Sequence, residues 1–341
     1  MNSRSGPGPA SDPHAGDAEV APDAPSVGRR TVLQAGGAIV GTGIVGGTGS
    51  ALWTDEVVAD AVADYPPVGD RVGPRGERVH LLTAGDGPPV VLLHGDGGSV
   101  FDWTYSAFDR LAERYRVTAV DRPGFGYSDR PDRLGSPWAQ ARRLRSGFRS
   151  AGIENPVLVG HSRGASVALA YAAAFPTEVA GVVDVAGAPY GTTPPGTYFR
   201  TLTAPVVGVL FAETLAVPFA RGPIADGLRA AFEPEGGAPP DYVDAYVAME
   251  RRPGQLRAHA FDAVRAPEGS DAFVERVHDI PVPVGAVHGT ADRNVPVAQS
   301  RRLVASIDRA RSFEVSGAGH ELHFFHPERI VEAIQWVSRA G

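Results

Sequence analysis

The chain has no cysteine and no lysine in its 341 residues. Without thiols there is no disulfide framework, thiolate metal site, iron–sulfur cluster or cysteine nucleophile. Without lysine there is neither a Schiff-base amine nor the cation of a Walker-type phosphate loop. All 32 basic side chains are therefore arginine, and against 39 acidic ones they leave a net charge of −7. That balance supplies no basic field for a phosphate backbone, so nucleic acid is not an expected partner. Repeated long apolar runs are missing as well, which excludes a multi-span membrane protein. What is present, 43% apolar and 21% charged residues, suffices for a full buried core.

Residues Met1 to Val27 are rich in Gly, Pro, Ala, Asp and Ser and nearly empty of large apolar side chains. Such a stretch cannot repay the entropy of ordering and is expected to be disordered. Gly28-Arg29-Arg30-Thr31-Val32-Leu33-Gln34 then leads into an uncharged, glycine-rich run from Ala35 to Trp53. This resembles a twin-arginine export signal, with Val32 where Phe is usual and Gln34 where Lys is usual. Its glycines make it a poor candidate for an ordinary buried helix. Ala61-Val62-Ala63 offers a small-residue cleavage site before Asp64; left uncleaved, the run is just long enough for a marginal membrane tether. The resemblance implies export machinery as a partner of the precursor and an exported or secreted product.

Beyond Tyr65, short apolar runs alternate with amphipathic stretches, the pattern of a mostly parallel sheet covered by helices. Strands are expected at 78–83, 90–94, 116–121, 157–160, 181–185, 284–288 and 312–315, several of them Val- and Leu-rich without alternation and so buried on both faces. Helices are expected at 106–114, 137–151, 165–175, 297–308 and 327–339. The alternation breaks between about Tyr190 and Asp279, which is too long for a structureless loop. Its helix-like, aromatic segments read as an inserted cap. The division is thus 1–63 leader, 64–189 with 280–341 core, and 190–279 helical cap.

The sharpest motif is Val157-Leu158-Val159-Gly160-His161-Ser162-Arg163-Gly164-Ala165, a buried strand entering Gly-x-Ser-x-Gly and then a small-residue helix. So abrupt a turn strains its central residue, while the flanking glycines let neighbouring backbone approach. Ser162 would stand at the tip as a nucleophile. A serine hydroxyl needs a base and a carboxylate that fixes the base's tautomer. Downstream, Asp292 follows the strand 284–288 and His320 follows the strand 312–315. Strand ends of a parallel sheet open on one edge, so Ser162, Asp292 and His320 can converge there in the template's order. Donors for the oxyanion are expected from the backbone N–H groups of Asp96, in His94-Gly95-Asp96-Gly97-Gly98, and of Arg163 at the helix start.

Together with Asp121-Arg122-Pro123-Gly124-Phe125-Gly126-Tyr127-Ser128, these motifs make the chain resemble an α/β-hydrolase from about Arg78 to Trp336, apart from the cap. The resemblance implies an eight-stranded, mostly parallel sheet flanked by helices, an antiparallel first strand near Asp70–Val72, and a lid after the sixth strand. Relatives acting on epoxides and haloalkanes carry aspartate at the elbow, where this chain has Ser162. Asp184 is a rival acid on the sixth strand. Asp121 and Arg122 are expected to organise the loop after their strand, and His94 and His161 to hydrogen-bond locally. His320, His323 and His326 are not spaced for one tetrahedral metal face, so no metal is expected. No organic cofactor is needed either.

The expected activity is hydrolysis of an ester or related acyl bond in a small to medium apolar molecule, through an acyl-enzyme on Ser162. Carbon–carbon bond hydrolysis, amide cleavage, lactone opening and cofactor-free perhydrolysis can use the same residues, and a catalytically silent binding protein can use the same fold.

Overall fold

The Val- and Leu-rich segments pair as the middle of one sheet. In the computed structural model, which describes residues 44–130, 136–191, 195–265 and 270–341 (backbone alone for 44–52 and Pro218), eight strands form. They are β1 (Asp70–Val72), β2 (Val79–Ala84), β3 (Pro89–Leu93), β4 (Arg116–Val120), β5 (Val157–His161), β6 (Gly181–Val185), β7 (Val284–Gly289) and β8 (Ala310–Val315). Their order across the sheet is β1-β2-β4-β3-β5-β6-β7-β8. From β4 through β8 every neighbouring pair is parallel. The strand that runs against the common direction is β2, opposed to both β1 and β4, whereas it was β1 that was expected to do so. The cause is local: β1 and β2 are joined by a short turn closed by Glu77 N–H to the Pro74 carbonyl at 3.0 Å, and so short a link joins only antiparallel neighbours.

Helices cover both faces, as continuous apolar strands require. One face carries Pro137–Ser150 and Arg163–Ala174, which bury Leu144, Phe148, Val167 and Leu169 on β3, β5 and β6; the other carries Phe108–Ala112 and Pro327–Ala340, which bury Leu111, Ile330, Ile334 and Val337. Ser136 caps the first of these helices, accepting from the Ala139 amide, and Pro137 follows at a position with no hydrogen bond to lose.

Between β6 and β7 the described residues contain helices and no strand. Those from Thr197 to Val264 make two small cores of their own, one around Leu202, Val217 and Leu256, the other around Leu228, Phe232, Tyr242 and Val247. The last helix of the insertion, Asp271–His278, instead buries Phe273 and Val277 in the core beneath the sheet. The cap by packing therefore ends before this helix, earlier than the expected boundary at 279. Burying a Phe or a Val contributes about 1.5–3 kcal/mol, and this helix gains it in the core beneath the sheet.

The expected disordered stretch, the Arg29-Arg30 pair and residues 35–43 of the apolar run lie outside the described residues. The next segment is a helix, Ile44–Asp64, although the glycines of its first half argue against an ordinary buried helix. Its second half docks on the cap: the buried Thr54 hydroxyl donates to the Glu213 carbonyl at 2.6 Å, Val57 packs on the Leu202 cluster, and Ala61 is buried. Ala61-Val62-Ala63 is thus helical and partly covered. No single helix among the described residues is long and apolar enough to cross a membrane.

Candidate active site

At the β5 end the chain turns into a helix within one residue. Ser162 takes φ 50° and ψ −115°, a left-handed conformation that costs a non-glycine residue roughly 1–3 kcal/mol. Backbone contact makes the flanking glycines necessary. A Cβ on Gly160 would lie 2.4 Å from the Gly164 backbone, and one on Gly164 2.3 Å from the Leu93 carbonyl oxygen. Ser162 and His320 line the same cavity, of about 1210 Å³, between the sheet edge and the cap.

His320 lies on the loop after β8, and its Nδ1 bonds Asp292 Oδ2 at 2.8 Å. Asp292 is fixed by its other oxygen, which accepts the amides of Asn294 and Val295, both at 2.8 Å. With the carboxylate so occupied, Nδ1 of His320 carries the hydrogen and Nε2 is left as the acceptor. Burial pushes the Asp292 carboxyl up, but the hydrogen bonds from His288 and His320 outweigh it and hold it well below the usual carboxylate range. His288 was not foreseen as part of this group. Its Nε2 sits 3.1 Å from Asp292 Oδ2 and 2.9 Å from the Val295 carbonyl, while its Nδ1 meets Ser300 Oγ. Burial lowers its pKa, and the Asp292 and Val295 contacts more than offset this and raise it. The signal was in the sequence: a histidine one residue before the end of β7 and four residues before Asp292.

The rival carboxylate Asp184 does not reach His320. It is buried in β6, accepts the Gly187 amide at 2.8 Å through Oδ1, and leaves Oδ2 without a partner; burial raises its pKa to about 6. Of the three downstream histidines, His320 and His323 both pack on the His161 ring, at 4.9 and 4.3 Å between centroids, while His326 turns to another partner. His326 bonds Glu235 at 2.6 Å, whereas His323 is fully buried and neither of its ring nitrogens has a hydrogen-bond partner.

The loop after β3 is held from beneath by Arg122. Its Nε donates to the His94 carbonyl and its Nη2 to the Gly95 carbonyl, each at 2.9 Å. His94 Nε2 accepts the Arg122 amide at 2.9 Å, and its Nδ1 donates to the Gly95 carbonyl. Burial and Arg122 push the His94 ring down to about 3, so it stays neutral. Because a trans peptide sets C=O and N–H antiparallel, pinning the Gly95 carbonyl toward Arg122 turns the Asp96 N–H away from the buried guanidinium. The two expected oxyanion donors are also tied to each other, since Arg163 Nε donates to Asp96 Oδ1 at 3.2 Å. Against burial, which raises it, Arg163 and His259 bring the Asp96 carboxyl down to about 2. His161, expected to hydrogen-bond locally, instead reaches across the site, from Nε2 to the His320 carbonyl at 3.2 Å.

The cap grips the same loop. Arg122 Nη1 bonds Asp262 of the cap at 2.7 Å, with both side chains fully buried. Gln255 donates to the Gly97 carbonyl at 2.8 Å, and the Tyr246 hydroxyl to the Asp96 carbonyl at 3.0 Å. These cap residues carried no readable signal, because a partner more than 100 positions away cannot be inferred from one chain.

Comparison with known proteins agrees with the geometry. The chain is 33% identical over 215 residues to the dihydrolipoyllysine-residue acetyltransferase component of the acetoin cleaving system of Cupriavidus necator, spanning 57% of each protein. It is 29% identical over 295 residues to the 2-hydroxy-6-oxononadienedioate/2-hydroxy-6-oxononatrienedioate hydrolase of Paraburkholderia phymatum, over 81% of this chain and 96% of that one. Among solved structures it superposes on the carboxylesterase CesB of Bacillus subtilis with a TM-score of 0.63 at 19% identity, covering 86% of this chain and 99% of CesB. The sequence profile of the Alpha/beta hydrolase family matches residues 90–333, from β3 to the C-terminal helix. The chain therefore belongs to the alpha/beta hydrolase family and is an enzyme.

Proposed function

We propose that the protein is a serine hydrolase that cleaves an ester or related acyl bond of a small to medium apolar substrate through an acyl-enzyme on Ser162. The observation that carries this reading is the Ser162 elbow opening into one cavity with a His320 whose Nδ1 is held by Asp292 at 2.8 Å. In the first step His320 Nε2 takes the Ser162 proton, Oγ bonds the carbonyl carbon, and the oxyanion rests on the amides of Asp96 and Arg163. Each such donor is worth about 3–4 kcal/mol to the transition state. The alcohol leaves with the proton from His320. Water then attacks the acyl-enzyme with His320 again as base, which frees the acid and Ser162. The apolar cap wall, including Phe211, Leu215 and Phe219, supports a lipophilic substrate.

Carbon–carbon bond hydrolysis is the second reading, favoured by the 29% identity to the Paraburkholderia phymatum hydrolase along 96% of its length. One panel of aryl esters, lactones, amides and vinylogous diketones separates the two, and fluorophosphonate labelling reports the nucleophile. Ser162→Ala should abolish both turnover and label. Undiminished turnover in that variant would sink the assignment, and ligand binding without turnover or label would make the protein a binding module.

We further propose that the precursor is exported and keeps the helix from Trp53 to Asp64, with the N-terminal apolar segment as its tether if the leader is uncleaved. The packing of Thr54 and Ala61 on the cap supports retention. Arg29→Lys with Arg30→Lys should trap the chain in the cytoplasm, and the exported protein's first residue should precede Trp53; a start at Asp64 contradicts retention.

A further inference from the structure

We propose that Asp102 and Glu321 form a subsite for a protonated amine beside the nucleophile, so that the preferred substrate pairs an ammonium group near its reacting bond with an apolar body under the cap. This rests on the acyl chemistry proposed above and names its substrate class.

Four carboxyl groups line the cavity floor near Ser162: Asp96, Asp102, Glu250 and Glu321. Two are matched. Asp96 accepts from Arg163, and Glu250 Oε1 lies 2.7 Å from His259 Nδ1. Against burial, Glu250 and Asp96 raise His259 to about 9, so it is a cation already spent on Glu250. Asp102 and Glu321 have no arginine partner among the described residues. Asp102 accepts the Ser99 amide at 3.2 Å and a hydrogen bond from Tyr242. Glu321 has two imidazoles nearby, His161 at 3.9 Å and His323 at 3.8 Å, and burial drives both rings well below their ordinary range. Neither imidazole supplies positive charge.

The remaining polar atoms of the floor have the same bias. His161 donates through Nε2 to the His320 carbonyl, which leaves its Nδ1 as an acceptor, and that atom has no partner. Glu250 Oε2 likewise has none. Both unpartnered atoms are covered by protein, so they add acceptor lone pairs behind the floor without meeting a ligand. Glu321 is the group that faces the cavity, its side chain 10% exposed, and a ligand that brings N–H groups satisfies it; an ammonium brings three. A carboxylate would bring a charge that no unspent lining cation among the described residues can match. Among the described residues one arginine lines the cavity, Arg293, which is largely exposed and already paired with Glu233 at 2.9 Å.

The location fits a reacting molecule. One carboxyl oxygen of Glu321 and one ring nitrogen each of His161 and His320 lie within 4.8 Å of one another. An ammonium held by Glu321 therefore sits next to the reacting atoms. In the empty cavity burial raises Asp102 to about 7, and burial together with the Asp102 and Asp292 charges raises Glu321 well above the carboxylate range. Arrival of the cation should ionise them and release protons to solvent.

The test uses the Ser162→Ala protein, titrated calorimetrically with phenylbutylamine, phenylbutanol and phenylbutyrate. The amine should bind about tenfold tighter than the alcohol and the carboxylate weakest, as expected for a charge-assisted hydrogen bond. Its heat should vary with the ionisation enthalpy of the buffer, reporting proton release. Glu321→Gln and Asp102→Asn should each reduce the amine's advantage and the proton release; Asn still offers an oxygen to the Ser99 amide. If one of the two fails to fold, the other variant and the three-ligand ranking still decide. Equal affinities, or a carboxylate that binds tightest, overturn the proposal. The unaltered enzyme is then given paired aryl esters, with and without an amine on the acyl part or on the alcohol. Hydrolysis of the neutral ester with no gain from either amine overturns the subsite and leaves the acyl reading standing. No hydrolysis of any ester, with amine binding intact, does the reverse.

Discussion

Replacing Asp292 by Asn tests the triad at its most constrained point. The two oxygens of Asp292 have different partners: Oδ1 accepts two amides, from Asn294 and Val295, and Oδ2 faces His320 Nδ1 at 2.8 Å and His288 Nε2 at 3.1 Å. An asparagine has one oxygen. Two amide donors outweigh one imidazole, so that oxygen stays at the Oδ1 position and the NH₂ group turns to His320. Nδ1 must then accept, the ring hydrogen moves to Nε2, and the atom meant to take the Ser162 proton becomes a donor. The backbone contacts survive, so the fold should too. Loss of the correct tautomer in a serine triad lowers kcat by about 10⁴, equivalent to about 5.5 kcal/mol. The assay is kcat on a short-chain aryl ester, with circular dichroism as the control for folding. A variant within about tenfold of the parent would refute the assignment of Asp292 as orienter. The same substitution alters acid stability. A carboxyl depressed in the folded state stabilises above its unfolded pKa of about 4 and loses that contribution as pH falls toward its folded value. The parent should therefore weaken in acid more steeply than the Asn variant.

Three other substitutions probe separate contacts. Arg122→Met leaves Asp262 charged and buried without its partner, and should cost about 3–5 kcal/mol and lower Tm by roughly 6–20 °C; adding Asp262→Leu should restore much of this, and a single variant as stable as the parent would contradict the pairing. Gly164→Ala drives a Cβ to 2.3 Å from the Leu93 carbonyl oxygen and 2.5 Å from that of His94, so it should cost about 1–3 kcal/mol or more together with most of the activity, measured by urea unfolding and ester turnover. His288→Gln removes a histidine whose pKa is raised on folding; the parent's His288 contribution is complete below about pH 6.5 and is lost as pH rises through the folded value, so the urea midpoint of the parent should fall across that range and that of the variant should stay flatter.

Which parts were legible in the sequence depends on the range of the forces involved. The buried strands were readable because a strand covered on both faces must be apolar throughout, and β6 was located to the residue at Gly181–Val185. The elbow was readable because Gly160 and Gly164 answer a steric demand within five positions of Ser162. Asp292 and His320 were readable only as residues at strand ends, which a parallel sheet gathers on one edge. The allegiance of the helix Asp271–His278 and the docking of Ile44–Asp64 were not readable. Each is a choice between two apolar surfaces that resemble one another in composition, and only packing decides it. Thr54 shows the difficulty: its partner, the Glu213 carbonyl, is a backbone atom and leaves no mark in side-chain pattern.

The cap is more than a roof over the cavity, because the loop proposed to hold the oxyanion is fixed from both sides. From the core, Arg122 pins the carbonyls of His94 and Gly95; from the cap, Asp262 pins Arg122, Gln255 holds Gly97 and Tyr246 holds the Asp96 carbonyl. The peptide groups on either side of Asp96 are thus each fixed by a hydrogen bond to their carbonyl, and planarity transmits that constraint to their N–H groups. A donor aimed in advance contributes to the transition state without reorganisation, whereas one that must rotate on demand loses much of that contribution. Cap substitutions at Gln255 or at Tyr246 should therefore reduce kcat more than they raise KM. A cap that only enclosed substrate would give the opposite split, with KM carrying the loss.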